Sequence, residues 1–189
     1  NTAMKSTLYV DPQSGLLTSI PYRSSPHHDE RPDEASIDMI VVHGISLPPG
    51  EFNTPAVEAF FTGQLDMTSH PAYPPIAHLK VSAHLFIKRD GRIVQFVPFT
   101  KRAWHAGESA FAGKVRCNDF SIGIELEGTD AVPYEPIQYE QLAAVIKALQ
   151  MAYPAIKNTR IVGHSDIAPG RKTDPGPHFD WNFLKGMLT

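Results

Sequence analysis

Cysteine is nearly missing from this chain: Cys117 is the only one in 189 residues. No intrachain disulfide can form and no thiolate metal site can be built, which favours a reduced, cytoplasmic setting. Positive charge is not in excess either. Seventeen Lys and Arg face twenty Asp and Glu, a formal net charge of −3, which argues against a general nucleic-acid binder. No apolar run approaches the ~18–20 residues of a membrane span. The opening NTAMKSTLYV has no apolar signal-peptide core. Met4 reads as the natural start, with Asn1, Thr2 and Ala3 ahead of it. Internal repeats and low-complexity linkers are absent too. The expectation is a single monomeric domain with no nucleic-acid or membrane partner.

What the chain does have is proline. Seventeen are present, grouped at 48–49, 71–75 and 169–177, where they read as stiff connections. Between such loops lie short ordered-looking segments. Residues 1–37 are polar and turn-rich, with 1–25 read as a surface segment and the core running from about 26 to 189. DMIVVHGI (38–45) is a β-branched run suited to a buried strand. TPAVEAFFTGQL (54–65) reads as a helix with Thr54 as N-cap and Pro55 at its first position. The runs of 82–99 flank Asp90-Gly91, a favoured two-residue hairpin turn. FSIGIELEG (120–128) alternates as a strand, and 137–153 carries a helical apolar stripe that Pro154 ends. RIVGHS (160–165) is a last strand and 180–188 a short helix. The predicted class is α/β: one central mixed sheet flanked by helices.

Two of the nine histidines stand out by placement. His43 and His164 each close a short apolar strand (IVVH, IVGH), and strand ends are where ligands gather in such sheets. After His164 comes GHSDIAPGRKTDPGP, a proline-stiffened loop that returns Asp174 to the same point. Two imidazoles and a carboxylate make a three-ligand set of the kind catalytic zinc uses, with a fourth position left for water.

Together VVHGISLPPGEF, HLKVSAHLFIKRDGRIVQFVPF, KRAWHAG, CNDFSIGIELEGTD and DIAPGRKTDPGP resemble the AmpD-type N-acetylmuramoyl-L-alanine amidases. These belong to a wider zinc amidase group that includes phage lysozyme-amidases and peptidoglycan recognition proteins. The resemblance spans about Pro26 to Trp181. It implies that group's mixed-sheet fold and cleavage of the amide between anhydro-N-acetylmuramic acid and L-alanine during peptidoglycan recycling. It also implies a link to β-lactamase regulation, one Zn²⁺ on His43, His164 and Asp174, and a catalytic pair Glu125 and Lys172. Gly44 departs from the pattern, where Asn is expected.

Further roles can be named, those of Lys80 and Arg116 guided by the resemblance. Lys80 and Arg116 are candidates for stem-peptide carboxylates, and Trp104 for the sugar face. His105 is a candidate for the sugar site or for orienting a ligand imidazole. His84 reads as a satisfied core histidine, Glu127 as a solvated strand carboxylate, and HHDERPDE (27–34) as a solvated surface. Arg171 and Asp166 read as locks on the loop. Two rival functions remain: a non-catalytic peptidoglycan-binding module, and a lytic amidase acting on intact murein.

Overall fold

A computed structural model describes residues 8–189; Met4 and the three residues before it lie outside the described residues. In chain order the strands are β1 (His28–Glu30), β2 (Met39–Ile45), β3 (Leu85–Ile87), β4 (Ile93–Gln95), β5 (Lys101–Ala103), β6 (Ala110–Phe111), β7 (Lys114–Val115), β8 (Ser121–Glu127) and β9 (Ile161–Gly163). The helices are α1 (Ala56–Phe61), α2 (Pro136–Ala152), α3 (His164–Ile167) and α4 (Trp181–Met187). Five strands make the main sheet in the order β4-β3-β8-β2-β9. The β3–β8–β2–β9 neighbours are parallel and β4 closes one edge antiparallel, so the sheet is mixed as the sequence predicts. Two-stranded pairs β1–β5 and β6–β7 stand beside it.

The alternation in SIGIELE sorts β8 by face. Ile122, Ile124 and Leu126 join Ile40, Val42, Leu142, Ile146 and Leu149 in the core under α2, while Ser121, Gly123, Glu125 and Glu127 point to the opposite face. Helix α2 starts where its sequence says it should. Pro136 occupies the first turn, and Glu135 and Gln138 form a capping box. The Gln138 amide also donates to the carbonyls of Ile87 and Glu127, pinning the helix to two strand ends.

Several expectations shift. Helix α1 is shorter than 54–65, although Val57, Phe60 and Phe61 are buried as its pattern requires. The hairpin turn is one residue longer than Asp90-Gly91. Lys88 and Arg92 close it by backbone hydrogen bonding, with Gly91 at φ +89°, the left-handed position of a three-residue loop. Glu127 is 2% exposed, not solvated. It accepts the backbone N–H groups of Asn53 and Arg89 at 2.9 and 3.0 Å. The early segment does more than wrap the surface, because Val10 and Leu17 enter the core.

The run 27–34 hides the largest surprise. His27 is buried, and the Arg31 guanidinium donates to the carbonyls of Phe99, Asn118, Asp119 and Ser121 at 2.9–3.2 Å. Burial lowers its pKa to about 10, so it stays charged at neutral pH. Arg31→Ala would orphan those carbonyls, and a hydrogen bond to a charged group contributes about 1.5–3 kcal/mol. We expect the variant to lose about 3 kcal/mol of unfolding free energy in urea titrations. An unchanged midpoint would mean that water replaces the guanidinium.

Candidate metal centre

Strand register places the first two residues of the site. On β2, His43 lies directly beside Glu125 of β8, and both sit on the face away from α2. His164 follows β9 and opens α3, so it stands one residue past the strand. The loop after it is tied down along its length. Asp166 Oδ2 accepts the Gly163 N–H at 2.7 Å, and the Ser165 N–H donates to the Asp174 carbonyl at 3.0 Å. Arg171 donates to the carbonyls of Ala106 and Glu108 at 2.6 and 2.7 Å. Asp166 and Arg171 are therefore locks, the first by capping and the second through carbonyls.

The result is a tight triangle. His43 Nδ1 and His164 Nδ1 are 3.0 Å apart, and each lies 3.3 Å from Asp174 Oδ2. The outer ring nitrogens constrain which atoms carry protons. His164 Nε2 meets the Ala106 carbonyl at 3.0 Å. A carbonyl only accepts, so that nitrogen holds the proton and Nδ1 keeps its lone pair. His43 Nε2 meets His105 Nδ1 at 2.9 Å, and His105 Nε2 meets Ser121 Oγ at 3.1 Å. With His43 and His105 both protonated at Nε2, this row leaves the His43 Nδ1 lone pair free as well. In that tautomer three lone pairs converge on one point. Bonds of about 2.0–2.1 Å at tetrahedral angles would separate neighbouring zinc donors by roughly 3.3 Å. The nitrogen–oxygen donor set and its spacing fit zinc.

Burial governs the electrostatics. His43 is 1% exposed, and desolvation brings its pKa down to about 4, the neutral form a metal needs. Burial alone would raise Asp174, but the His164 and His43 rings beside it, in the forms that carry a proton on Nδ1, outweigh burial and hold the carboxyl below its usual range. Glu125 goes the other way. Burial, then the charge of Asp174, raises it well above the usual carboxylate range. Its Oε2 is 3.9 Å from His43 Nδ1, and its buried Oε1 has no hydrogen-bond partner among the described residues.

A cavity of about 280 Å³ opens over these groups, lined by His43, Glu125, His164, Asp174 and Lys172 with an apolar wall that includes Phe60 and Leu79. Lys172 is exposed. Lys80 lines an adjoining hollow of about 260 Å³ that shares Phe60 and Leu79. Arg116, its side chain 75% exposed, lines a separate hollow with Glu108 and Arg171. Trp104 is half-buried and stacks on His27 with ring centroids 6.1 Å apart. His105 lies behind His43 with both ring nitrogens engaged. It therefore backs the His43 ring and has no ring donor to spare for a sugar. His84 is the satisfied core histidine, with Nδ1 accepting from Gly123 N–H and Nε2 donating to the Lys101 carbonyl. The residues that sequence reasoning missed are Ser121, Asn118 and Tyr134. Asn118 Oδ1 accepts the His105 and Ala106 N–H groups, and Tyr134 donates to the Pro175 carbonyl at 2.7 Å. Only the position of Ser121 on the face of Glu125 could have signalled one of them.

Residues 33–177 match the family model described as N-acetylmuramoyl-L-alanine amidase. The curated 1,6-anhydro-N-acetylmuramyl-L-alanine amidase AmpD of Citrobacter freundii is 60% identical over 165 residues, covering 87% of this chain and 88% of its own. AmpD of Escherichia coli strain K12 is 59% identical over 177 residues, 94% of this chain and 96% of its own. A crystal structure of a selenomethionine AmpD derivative superposes with a TM-score of 0.91 at 56% identity, covering 95% of this chain and 99% of that one.

The buried rings predict a pH dependence for the metal-free protein. Burial lowers His43 to about 4, His84 to about 3 and His105 well below 6.5. As pH falls below 6.5 the unfolded chain protonates these rings and the folded one does not, so stability falls with pH. Glu125 opposes this: the folded carboxyl holds a proton that the unfolded one releases above its ordinary 4.5. Three imidazoles against one carboxyl leave a net uptake on unfolding that approaches two protons. Urea midpoints should drop steadily from about pH 7 to about pH 5. A flat profile would show that the rings are already protonated in the fold.

Proposed function

Because the chain belongs to the N-acetylmuramoyl-L-alanine amidase family, we propose that it is a zinc-dependent hydrolase of anhydromuropeptides in peptidoglycan recycling. The bond cleaved is the amide between the lactyl group of anhydro-N-acetylmuramic acid and L-alanine. The observation that carries the zinc reading is the triangle of lone-pair atoms on His43, His164 and Asp174, 3.0–3.3 Å on a side. The substrate reading is supported by the names of the curated relatives. The single, buried Cys117 supports a cytoplasmic site of action, and no described helix is long and apolar enough to cross a membrane.

When bound, zinc supplies a Lewis acid that polarises the scissile carbonyl and eases deprotonation of water near neutral pH. The remaining work falls to side chains. Glu125 faces the ligand cluster with one unpartnered oxygen and a raised pKa, which suits a group that takes a proton from the attacking water. It then returns that proton to the alanine nitrogen as the C–N bond breaks. The Lys172 ammonium, on the cavity lining, complements the negative charge that develops on the carbonyl oxygen. His105 holds the His43 ring so that its Nδ1 faces inward. The products are the lactyl carboxylate and a free peptide amine.

Elemental analysis should find a single zinc per chain, and His164→Ala should lose both the metal and turnover. Anhydromuropeptide should be cleaved far faster than intact sacculi. Equal rates on the two would instead indicate a lytic amidase. Glu125→Gln should keep its zinc while kcat drops by roughly 10²–10⁴-fold. Loss of zinc from a folded Glu125→Gln variant would move this residue into the ligand set.

A further inference from the structure

We propose that Tyr134 is a positioning residue that sets the Asp174 carboxylate in register with the two histidines, through a slot left open by Gly44 and Gly128. The inference rests on the zinc reading given above and concerns how the chain holds its own third ligand.

Tyr134 lies between β8 and α2, and its side chain is buried. Its hydroxyl donates to the carbonyl of Pro175 at 2.7 Å. That carbonyl belongs to the residue directly after Asp174, so the bond fixes the backbone on one side of the ligand. On the other side Thr173 donates its hydroxyl to Asp130 of the same β8–α2 connection. The connection therefore grips the residues that flank the carboxylate. The Gly44 N–H donates to Asp174 Oδ2 at 3.3 Å, and that oxygen is the one in the donor triangle.

The ring reaches Pro175 only because two side chains are missing. A Cβ on Gly44 would fall 2.2 Å from the Tyr134 hydroxyl oxygen, and one on Gly128 would fall 2.4 Å from Cε1. Neither glycine shows the positive φ that would account for it by backbone conformation. Space is the reason for both. Phe179 stands edge-on to the Tyr134 ring at 5.7 Å and holds it in the slot independently of the hydroxyl.

This geometry makes Gly44 and the hydroxyl interdependent. Once the oxygen is gone, the nearest neighbour of a Cβ at position 44 is Tyr134 Cζ at 3.4 Å, an ordinary contact. Tyr134→Phe should weaken zinc affinity by about 10–100-fold, the usual effect of losing a group that orients a metal ligand. The melting temperature of the metal-free variant should stay near that of the unaltered chain. Gly44→Ala should weaken zinc comparably by displacing the hydroxyl. In the Tyr134→Phe background, Gly44→Ala should add little further, a non-additive cycle.

Zinc dissociation constants, measured by chelator competition on the full chain, test this alongside metal-free melting temperatures. Wild-type zinc affinity in Tyr134→Phe overturns the inference, as does a lowered melting temperature with unchanged affinity. Full additivity of the two substitutions overturns it too. His164→Ala separates the two levels of the argument. If that variant binds zinc normally, the zinc reading itself fails. If it loses zinc while Tyr134→Phe retains wild-type affinity, only the positioning role fails.

Discussion

Two imidazole nitrogens and a carboxylate oxygen face one another at 3.0–3.3 Å in a desolvated pocket, and the rest of the structure is arranged around keeping them there. His43 and His164 are buried, and lone pairs at this distance repel unless a proton or a cation lies between them. Such a cluster survives only on a rigid mount. The parallel register of β2 with β8 fixes His43 beside Glu125. The short β9 delivers His164, and a loop stiffened by proline and tied at Gly163, Ala106 and Asp130 delivers Asp174.

Behind His43, His164 and Asp174 runs a second layer that the first one needs. His43 leans on His105, which leans on Ser121, and the row ends near His84 and the Arg31 guanidinium. Gly123 makes room for this layer, because a Cβ there would fall 2.4 Å from the His105 ring. The Ser121–Gly123–Glu125 column is small, absent and acidic in turn, and each choice answers a neighbour across the strand. Arg31 closes the row with a cation spread over backbone carbonyls instead of a carboxylate, which leaves no extra anion beside the histidines.

Much of this was legible in the sequence, and the reason is local periodicity. The alternation of 120–128 gave the faces of β8, and the apolar stripe of 137–153 gave α2 almost to its ends. His43, His164 and Asp174 stood out because strand-end histidines and a proline-bound aspartate are local signals. The parts that escaped depend on contacts distant in sequence. Arg31 sits in a run as charged as any solvated loop, yet it meets carbonyls 68–90 residues away. Glu127 looked like a surface carboxylate because no local pattern announces two backbone N–H groups arriving from Asn53 and Arg89. Gly44 could be noticed as a departure, but its partner lies in a loop ninety residues on.

The site is also unevenly anchored. His43 belongs to a seven-residue strand flanked on both sides, whereas His164 and Asp174 follow a three-residue edge strand that, among the described residues, pairs only with β2. An ion held by all three would act as a clasp across 121 residues of chain, fastening the sheet's last edge to its middle. Opening of the C-terminal third would then require breaking coordinate bonds as well as a short ladder. Amide exchange in 161–176 would slow with the metal in place while the centre of the sheet stayed as it was. The bound ion would then serve the enzyme as its outermost stitch as well as its reagent.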